Sequence, residues 1–219
     1  MTQDAQPVAV ISPHPDDESL GCGGTIKHLT QSGVPVDVIY MTRGELGFES
    51  IEAVTAKMKG RLAETRIAEA HAACEVLGVR KVHVLNGVDG DLPNQSFLVR
   101  ELSEILSAQP YQRIFSPWFD EAHPDHRATF HWTKAALSQF GSAPDLWLYE
   151  IWTPLRPNTL VPIDETIQFK RAAIACHRSQ LAMIDYYDAF VGLSAYRAVF
   201  CPPSRFAEAF LVQESSRVR

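Results

Sequence analysis

The sequence reads as an α/β protein with a mainly parallel sheet, and three observations carry that reading. Short apolar runs suited to buried strands alternate with longer segments of helical periodicity. Glycines close helical segments, as Gly33 and Gly78 do, and polar loops follow the strands. No repeat, low-complexity tract or long linker divides the 219 residues, so one domain, 1–219, with a substantial core is expected.

Taken in order, Val8-Ala9-Val10-Ile11 predicts a first buried strand. Ser19 to Gln31, with Leu20, Ile26 and Leu29, predicts a helix, and Asp17 and Glu18 favour its amino end through the helix dipole. Val36 to Met41 is the second strand, followed by the polar loop Thr42 to Gly47. A long helix spans roughly Thr55 to Leu77, then Lys81 to Leu85 forms the third strand. Asn86 to Asn94 is a loop holding Asp89 and Asp91, and Phe97, Leu98, Leu102, Ile105 and Leu106 line one face of a helix. Arg113 to Ser116 is the fourth strand, Arg127 to Phe140 a helix and Leu146 to Ile151 a strand. Beyond the proline-rich stretch 152–162, Val161 and Ile163 suggest a short strand, and Glu165 to Gln180 a helix continuing toward Phe190. Arg197 to Cys201 and Ala209 to Val212 are the last strand candidates.

A net charge of −6 argues against nucleic-acid or anionic-membrane partners, which call for clustered Lys and Arg. The four cysteines, 22, 74, 176 and 201, form no CxxC pair and fit free thiols in a reducing compartment. Met1 to Asp4 shows no basic segment leading into an apolar core, and no apolar run reaches membrane-spanning length. A cytoplasmic location is expected, with a homo-oligomer left open.

The chemistry concentrates in Ser12-Pro13-His14-Pro15-Asp16-Asp17-Glu18. Two prolines hold the backbone extended after the first strand. One imidazole and three carboxylates then crowd the strand's carboxyl end, where like charges raise one another's pKa. A divalent metal would relieve this. His14 and Asp17 could supply a nitrogen and an oxygen ligand, leaving Asp16 free to act as a base. The bland alternative is an acidic turn capping the next helix.

A second cluster, His123-Pro124-Asp125-His126, follows the fourth strand. In a doubly wound sheet of order 3-2-1-4, strands 1 and 4 flank the switch point, where ligands bind beyond the carboxyl ends. Both clusters would then meet in one crevice. One of His123 and His126 can complete a His/Asp/His triad with an open fourth position, and the other would face water or substrate.

These two clusters resemble the paired signatures of the zinc-dependent N-deacetylases of the PIG-L/LmbE type. Lesser similarities run along nearly the whole chain: Gly23-Gly24-Thr25-Ile26, Thr42-Arg43-Gly44-Glu45, Arg66-Ile67-Ala68-Glu69, Lys170 through His177 to Gln180, and Ala207 to Phe210. The resemblance implies a Rossmann-like three-layer fold that removes an N-acetyl group from an amino sugar. It implies His14, Asp17 and His126 as ligands to Zn2+, or to another divalent metal such as Fe2+. Asp16 becomes the general base, His123 the electrostatic helper or general acid, and Asp125 the group that orients a histidine. Arg66 matches an arginine that reaches substrate, and Arg43 is a further substrate-binding candidate. Some members carry a tyrosine where this chain has Glu121, so oxyanion stabilisation would rest on the metal and His123.

Gly21-Cys22-Gly23-Gly24 fails the dinucleotide pattern, whose third glycine would fall at Ile26; close packing of the helix on strand 1 accounts for it better. Taken singly, Arg43 and Arg66 read as surface ion pairs; Trp118, Trp147 and Trp152 read first as core aromatics, with the wall of a sugar cleft, around Trp118 and Trp152, as the alternative. His177 and Gln180 suit a helix cap or a subunit contact. Rival functions are hydrolysis of another amide, an ester or a phosphoester, and ligand binding without catalysis. A two-metal phosphoesterase would want more ligands, and a binder has no use for Asp16.

Overall fold

The computed structural model describes residues 5–47, 55–140 and 143–214. The stretch that bears on a signal peptide, Met1 to Asp4, lies outside them. Among the described residues the strands are Val8–Ser12 (β1), Val36–Thr42 (β2), Lys81–Gly87 (β3), Arg113–Pro117 (β4), Asp145–Tyr149 (β5), Thr159–Pro162 (β6) and Ala207–Gln213 (β7). They form one sheet of order β3-β2-β1-β4-β5-β7-β6. β1 to β5 are parallel, and β7 runs antiparallel to β5 and β6. The expected 3-2-1-4 core is therefore present, with β1 and β4 paired at the switch point.

Every residue of β1 and β2 is buried, the pattern of strands covered on both faces. Alternate side chains go to opposite layers. Val8, Val10, Val38 and Tyr40 pack beneath α1 (Asp17–Gln31), α2 (Ala56–Leu77), α5 (Ile167–Ile174) and α7 (Tyr187–Ala198). Ala9, Ile11, Ile39 and Met41 face α3 (Leu98–Ser107) and α4 (Pro124–Leu137). At about 1.5–3 kcal/mol for each large apolar side chain fully buried, these two layers supply the main drive to fold. α2 shows how local chemistry sets its limits: the Thr55 side chain accepts the Met58 N–H, and Gly78 closes the helix at φ +80°.

The glycines after the first motif do permit close packing, but against other partners than strand 1. A Cβ at Gly21 would meet Tyr149 of β5 at 2.4 Å, and one at Gly24 would meet Ile163 at 2.8 Å. α1 leaves helical geometry at Cys22 (φ −144°, ψ 20°), freeing backbone donors. Glu208 of β7 accepts the N–H groups of Gly24 and Thr25 at 2.9 and 2.7 Å, and buried Lys170 pairs with Glu208 at 2.7 Å.

Two expectations need correction in the last third. The helix expected over 165–190 is three pieces, α5, α6 (Arg178–Leu181) and α7. His177 turns at the first break and buries its imidazole 3.3 Å from the Ser19 hydroxyl, an inward polar contact that ends α5. Arg197 to Cys201 is no strand. Phe190, Val191, Ser194, Arg197 and Ala198 recur at helical spacing as the buried face of α7, where the Arg197 guanidinium pairs with Glu150.

Candidate metal centre

The first motif leaves β1 as a turn clamped to β2. The Pro13 carbonyl accepts both the backbone N–H and the hydroxyl of Thr42, at 3.1 and 2.9 Å. The His14 N–H donates to Asp17 Oδ2 at 2.9 Å, which folds the Asp17 carboxylate back under the imidazole. That oxygen lies 3.4 Å from His14 Nδ1 and 3.4 Å from Nε2 of His126. The ligand atoms of His14, Asp17 and His126 all lie within 4.8 Å of one another, and all three residues are buried.

The second motif starts α4. His123 caps it, its Nδ1 accepting the Asp125 N–H at 3.1 Å, so neutral His123 carries its proton on Nε2. Asp125 turns inward, accepts the N–H groups of Gly90 (2.7 Å) and Leu92 (3.1 Å), and places Oδ2 3.2 Å from His14 Nε2. His14, His123 and Asp125 form a second close set. There His123 Nδ1 and both Asp125 oxygens already accept backbone N–H groups, whereas neither ring nitrogen of fully buried His126 has a hydrogen-bond partner. That orphaned imidazole beside a carboxylate is what a divalent cation would complete, so the donor set His14/Asp17/His126 fits a metal.

The two imidazoles differ electrostatically: His126 is ready to ligate, whereas His14 would give up a proton to do so. Burial pushes His126 down to about 3 against the pull of Asp17, keeping its lone pair free. Burial would lower His14 as well, but bonds to Asp125, Asp17 and Asp89 outweigh it and hold this imidazole well above its ordinary range. Asp17 is lowered to about 2: burial would raise it, and His126 and His14 overcome that. Asp89, 3.1 Å from His14 Nε2 and bonded to the Leu46 N–H, is also held low by His14 despite burial.

Asp16 stands apart from this set. Its Oδ2 receives the Tyr186 hydroxyl at 3.0 Å and lies 3.2 Å from Arg66 Nη2, and among the described residues none bonds Oδ1. Burial raises its pKa, with the Arg66 charge opposing. Arg66 is not a surface group: it is buried, and also donates to the carbonyls of Gly44 (3.1 Å) and Pro15 (3.3 Å). A cleft of about 460 Å³ opens over these groups, lined by His14, Asp16, Asp17, Arg66, Asp89 and His123 on its floor. Trp152, Gln180, Met183, Ile184, Tyr186 and Leu46 form the rest of its wall.

The cleft thus brings together His14, Asp16, Asp17 and His123 from the two motifs, while Glu18, Asp125 and His126 lie behind it. Arg43 is exposed and edges a separate depression with Lys59 and Glu64. Trp118 is buried and donates to the Thr153 carbonyl; only Trp152 of the three tryptophans lines the cleft. Glu121 is buried, accepts the N–H groups of Ile151 (2.6 Å) and Trp152 (3.1 Å), and comes within 3.8 Å of His126 Nδ1. Gln180 lies on the cleft wall, and His177 sits beneath the site 3.6 Å from Glu18. Tyr186 and Asp89 carry no motif of their own, and nothing near them in the chain signals their role.

A parallel sheet with a His/Asp/His cluster and a separate carboxylate at its switch point has the build of a metal-dependent hydrolase. The comparisons narrow this class. The family model "PIG-L: GlcNAc-PI de-N-acetylase" matches residues 9–137, a span that holds both motifs. The diacetylchitobiose deacetylase of Thermococcus kodakarensis is 31% identical over 195 residues, covering 81% of this chain and 71% of the relative. The 1D-myo-inositol 2-acetamido-2-deoxy-alpha-D-glucopyranoside deacetylase of Mycobacterium sp. (strain KMS) is 27% identical, covering 79% and 73%. The structure of N,N'-diacetylchitobiose deacetylase from Pyrococcus horikoshii, complexed with its inhibitor MPG, superposes with a TM-score of 0.84 at 28% identity, covering 96% and 84%. The chain belongs to the PIG-L family of de-N-acetylases.

Proposed function

We propose that this chain is a divalent-metal-dependent hydrolase, with zinc as its metal, that removes the N-acetyl group from an N-acetylglucosamine-type amino sugar or glycoside. The observation that carries this is the buried His14/Asp17/His126 set with Asp16 beside it on the cleft floor. The relatives' activities on N-acetylated amino sugars support the substrate class. The net acidic chain supports a small neutral substrate over a polyanion, and its four free thiols support a cytoplasmic setting.

His14, Asp17 and His126 would hold the ion, which when bound polarises the acetamide carbonyl and acidifies a water. Asp125 fixes the His14 ring through Nε2. Tyr186 and Arg66 hold one Asp16 oxygen, so Oδ1 takes the proton from the water that attacks the acetyl carbon. His123, lowered chiefly by burial, is neutral at pH 7 and offers its Nε2–H to the oxyanion. The C–N bond then breaks as protonated Asp16 returns its proton to the amine, yielding acetate and the free amino sugar. The test is acetate and amine release from N-acetylglucosamine glycosides alongside acetylated lysine peptides and acetyl esters. Faster turnover of a peptide or ester than of every amino sugar overturns the assignment, and metal analysis of the purified protein checks for about one zinc per chain.

A further inference from the structure

The cleft is chemically two-sided. Its floor is polar, with the carboxylates of Asp16, Asp17 and Asp89, while Leu46, Trp152, Met183 and Ile184 stand on its wall. Trp152 is 45% exposed and Ile184 64%, large apolar side chains left in water where they face the site. Trp152 is held in place: its ring meets Phe190 and Tyr186 edge-on, at centroid separations of 5.7 and 6.2 Å, and Glu121 anchors its backbone N–H. Such a surface presents area to a ligand at little cost in ordering.

Charge points the same way. Arg66 is the only Lys or Arg among the described residues lining the cleft; its terminal nitrogens bond Asp16, Gly44 and Pro15, and only its buried Nε lacks a partner. Among the described residues a phosphate or carboxylate carried on the sugar would meet no cationic side chain at the mouth free of an ion pair, and would pass close to Asp89. The volume, about 460 Å³, suits a drug-sized ligand rather than a hexosamine ring alone.

We infer that the mouth formed by Trp152, Met183, Ile184 and Leu46 is an aglycone subsite for a neutral apolar group, aryl or alkyl, linked to the amino sugar. This rests on the deacetylase reading above and extends it to the substrate's second half. The test compares kcat/KM for p-nitrophenyl and octyl N-acetylglucosaminides, free N-acetylglucosamine and N-acetylglucosamine 1-phosphate. The apolar glycosides should exceed the free sugar by about tenfold, or ~1.4 kcal/mol, chiefly through KM. The 1-phosphate should fall below both glycosides. Trp152→Ala should collapse the ratio of aryl glycoside to free sugar toward one. Ile184→Lys, which puts a cation on the mouth, should lower that ratio and raise the 1-phosphate relative to the aryl glycoside. Turnover of the sugars with no apolar advantage, or best turnover of the 1-phosphate, overturns the aglycone assignment alone. Failure to release acetate from any sugar overturns the deacetylase reading and this inference with it.

Discussion

Tyr186 donates its hydroxyl to Oδ2 of Asp16 at 3.0 Å, joining the start of α7 to the turn after β1. A donor to the ionised carboxylate favours that form, so its loss should raise the Asp16 pKa beyond what burial already does. Tyr186→Phe is expected to move the acid limb of the kcat/KM profile upward by about one pH unit, with metal content unchanged. An unmoved limb would detach Tyr186 from the base.

Asp16 and Asp17 are neighbours with separate surroundings. Asp17 sits between His14 and His126, whereas Asp16 faces Tyr186 and Arg66. Asp17→Ala should lose metal, and activity as a consequence. Asp16→Asn should keep metal while kcat falls by about 10²-fold or more. Metal analysis with kinetics separates the two, and equal metal loss would show the roles to be misassigned.

Arg66 bonds to Asp16 and two carbonyls from a buried position. Arg66→Ala leaves those acceptors unpaired, so it should cost about 2–4 kcal/mol in urea unfolding and lower kcat as well as raise KM. An effect confined to KM would make Arg66 a substrate contact only.

The Lys170–Glu208 pair is buried at the kink of α1. Lys170→Met strands the Glu208 charge and should destabilise by about 3–5 kcal/mol. The double variant with Glu208→Gln should recover part of that loss, since glutamine still accepts from Gly24 or Thr25. A fully additive double-mutant cycle would argue against coupling.

Far from the site, buried Asp37 accepts from Arg80 at 2.6 and 2.8 Å and from Tyr111 at 2.7 Å. Burial would raise its pKa, but these bonds outweigh it and hold the carboxyl below its ordinary value. With the folded value below the unfolded one, its stabilisation is present above the unfolded pKa and lost as pH falls through the folded one. Asp37→Asn should therefore show a shallower fall in stability below about pH 4 than the parent. Urea midpoints between pH 6 and 3 measure this.

The order 3-2-1-4 was legible because β1 and β2 are mostly apolar, as strands covered on both faces must be, and the helices between strands carry their own stops. Local chemistry also exposed His14, Asp16, Asp17 and the His123–His126 cluster, whose residues stand side by side in the chain. What stayed hidden depends on distant segments meeting. Tyr186 reaches Asp16 only because the chain breaks after α5 and again before α7, and the first break is set by the inward turn of His177. Asp89 looked like any loop acid until β3 placed it 3.1 Å from His14. Arg197 was misleading because a charged residue within an apolar run hides the helical spacing of its neighbours; its burial depends on Glu150, 47 positions away.

Glu121 gives one carboxylate two duties: it ties down the backbone that carries Trp152, and it stands behind His126. The proposed aglycone rim and the proposed metal set are therefore mechanically linked through a single side chain. If the proposed metal and aglycone sites hold, remodelling the 151–153 segment for a new aglycone would disturb metal binding unless Glu121 keeps its backbone donors. Loop exchange in this scaffold should leave Ile151 to Thr153 in place and vary only what lies beyond Thr153.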